Sequence, residues 1–148
     1  MNIVRTDNQA IAQELLQKIG ESAEFYGKMA ETVASQPIKN SLAAIARQRA
    51  TQVNPMRRLV ASLQDLPMAT DTEREFFKEL GAKLLATVSD KQDATIVQRC
   101  LESEQEIKQL SQRLETQSLA TNHRALIDKI NAEVETNIKA LRAKIPQH

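Results

Sequence analysis

The chain has 148 residues, the size of one ordinary domain with room for a real core. Apolar residues make up 41% and charged residues 26%, as in globular proteins, but aromatics are only 3% and Trp is absent. A core built from Leu, Ile, Val, Ala and Met suits close helix packing more than sheets, and three Gly and four Pro leave little punctuation for hairpins.

The net charge is +1, with basic and acidic residues spread evenly along the chain. No concentrated basic face of the kind nucleic-acid binding uses is evident, so no nucleic-acid partner is expected. Apolar runs such as Leu84–Leu85–Ala86 are far below membrane-spanning length, and no membrane partner is expected. The start, MNIVRTDNQ, reads without the apolar segment of a signal peptide. The single Cys100 forms no internal disulfide. A cytoplasmic protein is expected, with residues 1–148 forming one domain.

The pattern predicts a first helix over about 8–34. Thr6 with Gln9 has the form of a capping box, and the seam is Leu15, Ile19, Ser22, Tyr26, Met29 and Val33. Glu21, Glu24 and Glu31 point away from that seam and read as solvated. Gly20 and Gly27 lie seven apart on one edge, where another helix could approach closely or packing could simply be loose. Ser35–Gln36–Pro37 breaks the pattern, and Pro37 suits the first turn of a second helix over about 38–63. So short a connection makes these two helices antiparallel neighbours. In the second helix Leu42, Ile45, Ala46, Val53, Met56, Val60 and Leu63 share one side at 100° per residue. Pro55 removes a backbone bond there; it kinks the helix, or Asn54 caps a separate short one.

After a polar loop, residues 73–88 carry Phe76, Phe77, Leu80, Leu84, Leu85 and Val88 at helical spacing. This shorter element is expected to carry the chain from one end of a bundle to the other. A third capping box, Ser89 with Gln92, opens a long helix over about 90–116, with Ile96, Cys100, Ile107, Leu110 and Leu114 on its seam. The last helix, about 122–144, shows Leu126, Ile130, Val134, Leu141 and Ile145 on one face, with His123 near its start. Two long helices, a crossover and two more long helices outline an all-α four-helix bundle with one long connection.

Each long helix places a polar residue on its core face near its middle: Ser22, Arg49 with Gln52 three residues on, Glu104 and Asn137. A guanidinium does not lose its proton, so an Arg facing a core needs partners. If the middles meet, Arg49 and Glu104 form a buried ion pair, and Ser22, Gln52 and Asn137 fill the remaining hydrogen bonds. Such a layer sets helix register, or it binds a small ligand or metal. Alternatively, Arg49 snorkels to solvent from the seam edge and no layer forms.

The pieces GESAEFYGKMAE, IARQRATQV and LESEQEIKQL resemble a bacterial ferritin-like domain family of unknown function, most tellingly at Gln48–Arg49. The likeness spans roughly residues 10–143 and implies the ferritin-like fold. Di-iron members of that superfamily use a Glu from each of two helices and a Glu-x-x-His motif from each of the other two. By the resemblance those positions fall here on Ser22, Arg49 with Gln52, Glu104, and Val134 with Asn137. Only Glu104 keeps a ligand, and a fixed cation at Arg49 would repel a metal. No metal, no cofactor and no catalytic residue is therefore expected.

Only two His exist, His123 and His148, which excludes sites built on several His. Glu104, Glu133 and His123 form at most an adventitious metal site, since their heights along the bundle disagree. Cys100 lies on the apolar face, as an inert small hydrophobe does. No nucleophile–base pair or Gly-rich phosphate loop appears. The leading expectation is a non-enzymatic bundle acting through its surface, as a homo-oligomer, in the simplest case a dimer, or as a stress-related interaction module. The alternatives are a degenerate iron-binding or iron-oxidising protein and a small-ligand binder built on Arg49.

Overall fold

A computed structural model describes residues 7–63 and 92–145. They form four long helices: α1 Asp7–Thr32, α2 Gln36–Ser62, α3 Gln92–Glu115 and α4 Thr121–Arg142. No strand occurs among the described residues. The helix expected at 73–88 and the capping residues Thr6 and Ser89 lie outside the described residues.

Local chemistry explains where the helices stop. Ser35 is extended, with φ −72° and ψ 123°, and its hydroxyl accepts from Ile38 N–H at 3.4 Å, so α2 begins at Gln36 with Pro37 in its first turn. The Asp93 carboxylate accepts from the Ala34 and Ser35 N–H groups, both at 2.9 Å. Those two amides are thus taken out of α1, which ends at Thr32 rather than Ala34. At the other end, the Arg124 guanidinium donates to the Glu115 and Gln117 carbonyls at 3.2 and 2.9 Å, satisfying acceptors that the end of α3 leaves free.

These contacts also give the topology. The start of α3 sits at the end of α1, and the Gln9 carboxamide donates to the Leu63 carbonyl, so α2 ends beside the start of α1. α1 therefore runs antiparallel to both α2 and α3. α4 packs on α3 and, less closely, on α2. Residues 64–91 join points at opposite ends of the bundle, and α2 and α3 run the same way across its diagonal.

The predicted seams form the core. Leu15, Ile19, Met29, Leu42, Met56, Ile96, Ile107, Leu114, Ile130 and Val134 are all buried. Ala46, Val53 and Leu63, expected on the α2 stripe with the others, are only half-buried, packed against the core. α2 passes through Pro55 as one helix, so Asn54 caps nothing. The buried Met56, Leu59 and Val60 hold the half beyond the proline onto the core, which outweighs one lost backbone bond.

Two further expectations are corrected. Glu21 and Glu24 are half-buried, not fully solvated, and Glu21 lies 3.8 Å from Lys18. At Gly27 a Cβ would meet nothing within 4 Å among the described residues, so none of α2, α3 and α4 approaches closely there. Because Gly sits in a helix interior with open space beside it, Gly27→Ala is expected to raise stability by about 0.5–1 kcal/mol. A denaturant titration showing a loss would mean that the position is crowded after all.

Candidate functional site: a saturated polar layer inside the bundle

Arg49 is the central residue of α2, and the heptad-like packing that buries Leu42, Ile45 and Met56 carries it inward. Its side chain is 0% exposed, which excludes snorkelling. Each nitrogen has a protein partner. Nε donates to Ser22 Oγ of α1 at 3.3 Å, Nη1 to Gln52 Oε1 at 3.2 Å, and Nη2 to Glu104 Oε1 of α3.

Glu104 is equally buried, and both of its oxygens are engaged. Oε1 also accepts from Asn137 Nδ2 of α4 at 2.9 Å. Oε2 accepts from the Tyr26 hydroxyl at 2.9 Å, which also lies 3.1 Å from the Cys100 carbonyl. Two bonds then reach outward between α2 and α4: Asn137 Nδ2 donates to Gln48 Oε1 at 2.8 Å, and Gln52 Nε2 donates to Glu133. Glu133 is half-buried and lies 3.8 Å from Lys129 on the surface.

All five residues expected in the layer, Ser22, Arg49, Gln52, Glu104 and Asn137, are thus brought together. Tyr26, Gln48 and Glu133 were not foreseen. Tyr26 reads as core by its spacing, and its ring does pack edge-on against Phe25, with centroids 5.9 Å apart; only the hydroxyl joins the layer. His123 lies apart, its Nδ1 3.3 Å from Ser62 Oγ near the start of α4. It does not join Glu104 or Glu133.

Charge and burial set the chemistry. Tyr26 titrates well above the ordinary phenol range, because burial and then the neighbouring Glu104 disfavour the phenolate. The Cys100 thiol is pushed up by burial and by Glu104, so it carries no thiolate at neutral pH. The layer therefore holds one cation and one carboxylate, surrounded by neutral donors and acceptors, with no nucleophile. No group of three His, Cys, Asp or Glu that could hold a metal exists among the described residues. A di-iron centre does not fit this donor set. Glu104, the one fully buried carboxylate, is already neutralised by Arg49.

A second, smaller bridge joins α3 to α4. Ser111 Oγ donates to Asn131 Oδ1 at 2.6 Å, and Asn131 Nδ2 donates to Glu115. Ser111 was not expected to be buried, nor was Gln13, whose carboxamide has no hydrogen-bond partner among the described residues.

Fold and site together define an all-helical four-helix bundle crossed by a closed polar layer. Residues 10–117 match the family described as a domain of unknown function, DUF2383, and the chain belongs to that family. The matched span carries Ser22, Tyr26, Arg49, Gln52 and Glu104 and ends before α4, which supplies Glu133 and Asn137. No curated protein and no solved structure matches the chain.

Two predictions follow from this geometry. Arg49→Ala or Glu104→Ala alone is expected to cost about 3–5 kcal/mol, because each leaves a buried charge without its partner. Arg49→Met combined with Glu104→Leu is expected to cost far less, since no charge remains inside. Equal losses for the single and double variants would contradict the pairing.

The raised Cys100 pKa has a definite sign in stability. The folded thiol holds its proton where the unfolded one loses it, so stability is fully present below about pH 8.5 and falls as pH rises beyond it. Tyr26 adds to the fall above about pH 10. Cys100→Ala is therefore expected to move the onset of alkaline destabilisation upward towards the tyrosine range. An unchanged onset in denaturant titrations across pH would refute this.

Proposed function

We propose that this chain is a non-enzymatic, metal-free ferritin-like bundle that acts through its surface, as a homo-oligomerising or stress-related interaction protein of the cytoplasm. Support for the ferritin-like reading comes from the order of helix directions. Neighbours run antiparallel, and α2 and α3 run parallel across the diagonal, as one long connection between two helical hairpins requires. No described helix is long and apolar enough to cross a membrane.

The observation that carries the proposal is the closure of the layer. Arg49 and Glu104 are both 0% exposed, and every polar atom they present has a partner from the chain itself. A ligand entering there would have to break charge-assisted bonds in a dry interior and replace them. A layer of this kind fixes which helices meet and at what height. Recognition is then left to the outer faces. The competing reading, an iron-binding or iron-oxidising relative, requires carboxylate ligands at Ser22, Arg49 and Val134 and imidazoles at Gln52 and Asn137, which those residues do not supply.

Elemental analysis of protein purified without chelators separates the two readings. Less than about 0.1 iron or manganese per chain is expected, given a site with one carboxylate and a fixed cation. A metal present in stoichiometric amount, and lost on Glu104→Gln, would overturn the proposal.

A further inference from the structure

The four helices form two hairpins, α1 with α2 and α3 with α4, and each hairpin's own helices pack more closely than the hairpins pack on one another. The bonds that cross between the hairpins are sorted by chemistry. The first hairpin supplies the buried cation, Arg49, and the second supplies the buried carboxylate, Glu104. Around that pair, Tyr26 donates to Glu104 Oε2 at 2.9 Å, Gln52 donates to Glu133, and Asn137 donates to Gln48 Oε1 at 2.8 Å. At one end of the bundle the Asp93 carboxylate of α3 accepts from the Ala34 and Ser35 amides of the first hairpin. Within its own hairpin Arg49 meets only the neutral Ser22 and Gln52, and Glu104 meets only the neutral Asn137. Each hairpin therefore buries one charge that only the other hairpin neutralises.

Like hairpins do not fit together. Two first hairpins set Arg49 against Arg49, two second hairpins set Glu104 against Glu104, and like charges in a dry interior repel strongly. A first hairpin thus accepts only a second hairpin. Nothing in the contact requires that second hairpin to come from the same chain, because the same atoms meet when another copy supplies it. The tie between the hairpins is residues 64–91. At about 3.3 Å per residue they reach roughly 90 Å at full stretch, against about 40 Å for the length of α2 at 1.5 Å per residue. With 73–88 helical, as their spacing predicts, the reach is still about 60 Å, enough to cross to a bundle lying alongside. A copy that opens leaves both buried charges without partners, so it closes again, on itself or on a second open copy.

We propose that two copies of this chain exchange hairpins, so that Arg49 of each copy is held by Glu104 of the other. This rests on the homo-oligomerising reading given above and names the form that assembly takes. The exchanged pair is closed: it has two polar layers, each with one cation and one carboxylate, and no face left over to add a third copy. No bond of the fold changes its type, so the contacts given up when a copy opens are all remade. The chain's own hairpin competes only through its effective concentration, which falls as the connection lengthens, so a second copy gains ground as protein concentration rises. The buried layer, rather than any outer face, then decides which chains combine.

Two single variants of the full chain test this by rescue between chains. Arg49→Met leaves Glu104 without its cation, and Glu104→Leu leaves Arg49 without its carboxylate. Folded on itself, each variant encloses an unpaired charge. Unfolded and refolded together at high protein concentration, the two have an arrangement that neither has alone. One layer regains Arg49 with Glu104, and the other holds both apolar replacements. The mixture is expected to give a species of twice the chain mass that contains both variants, read by sedimentation and by capture through a tag on one of them. It is expected to melt about 10 °C above either variant refolded alone, followed by circular dichroism. A lone variant that fails to fold does not spoil the reading, since the rescue in the mixture is what is measured. The proposal is overturned if the mixture melts as the two variants do apart, or if no mixed dimer forms. Wild type of twice the chain mass without such rescue overturns hairpin exchange and leaves homo-oligomerisation standing. Wild type that keeps the mass of one chain, again without rescue, overturns both. Metal content is blind to all of these outcomes, so failure here is distinct from failure of the metal-free reading.

Discussion

The bond between Arg49 and Glu104 organises this molecule. Both groups are charged, both are shut off from water, and neither is tolerable alone in such a place. Their attraction is strong only because the surroundings are dry, and the surroundings stay dry only if the four helices meet at one height. The pair therefore acts as a register mark. Sliding α2 against α3 by a single turn would move the guanidinium by about 5.4 Å, beyond hydrogen-bond reach of the carboxylate. Apolar seams of Leu and Ile have no such sharpness, because one aliphatic contact substitutes readily for another.

Each helix contributes to that mark, but not in equal measure. α1 supplies the hydroxyls of Ser22 and Tyr26, one for each member of the pair. α4 supplies Asn137, which bridges the buried carboxylate to Gln48 at the outer edge of α2. The edge between α2 and α4 is the least closely packed side of the bundle, and there the polar bridges Gln48–Asn137 and Gln52–Glu133 span the gap. The two hairpins are thus joined by apolar packing along α1 and α3 and by hydrogen bonds along α2 and α4. The interior is thus bonded to itself.

The residues that sequence reasoning found and missed differ for a physical reason. Arg49 stood out because an apolar stripe surrounds it, and Glu104 because it borders one. Tyr26 was hidden by its own ring: at a seam position an aromatic residue is accounted for by packing, and nothing in the pattern says where its hydroxyl points. Gln48 and Glu133 sit at stripe edges, where long polar side chains are ordinarily solvated, and only the approach of α4 to α2 makes them partners. Gln13 and Ser111 are buried by neighbours that no period within their own helix predicts. Glu21 was expected in solvent because it lies off the α1 seam, yet it is half-buried beside Lys18.

By itself the sequence determined the four long helices, the faces they bury and the central placement of Arg49. Those are consequences of a 3.6-residue repeat and of side-chain chemistry, both local properties. Tertiary structure alone decided that the guanidinium is fully enclosed and which atoms of the other helices satisfy it. Contacts between residues 27 to 89 positions apart make those decisions, and no local pattern encodes such distances.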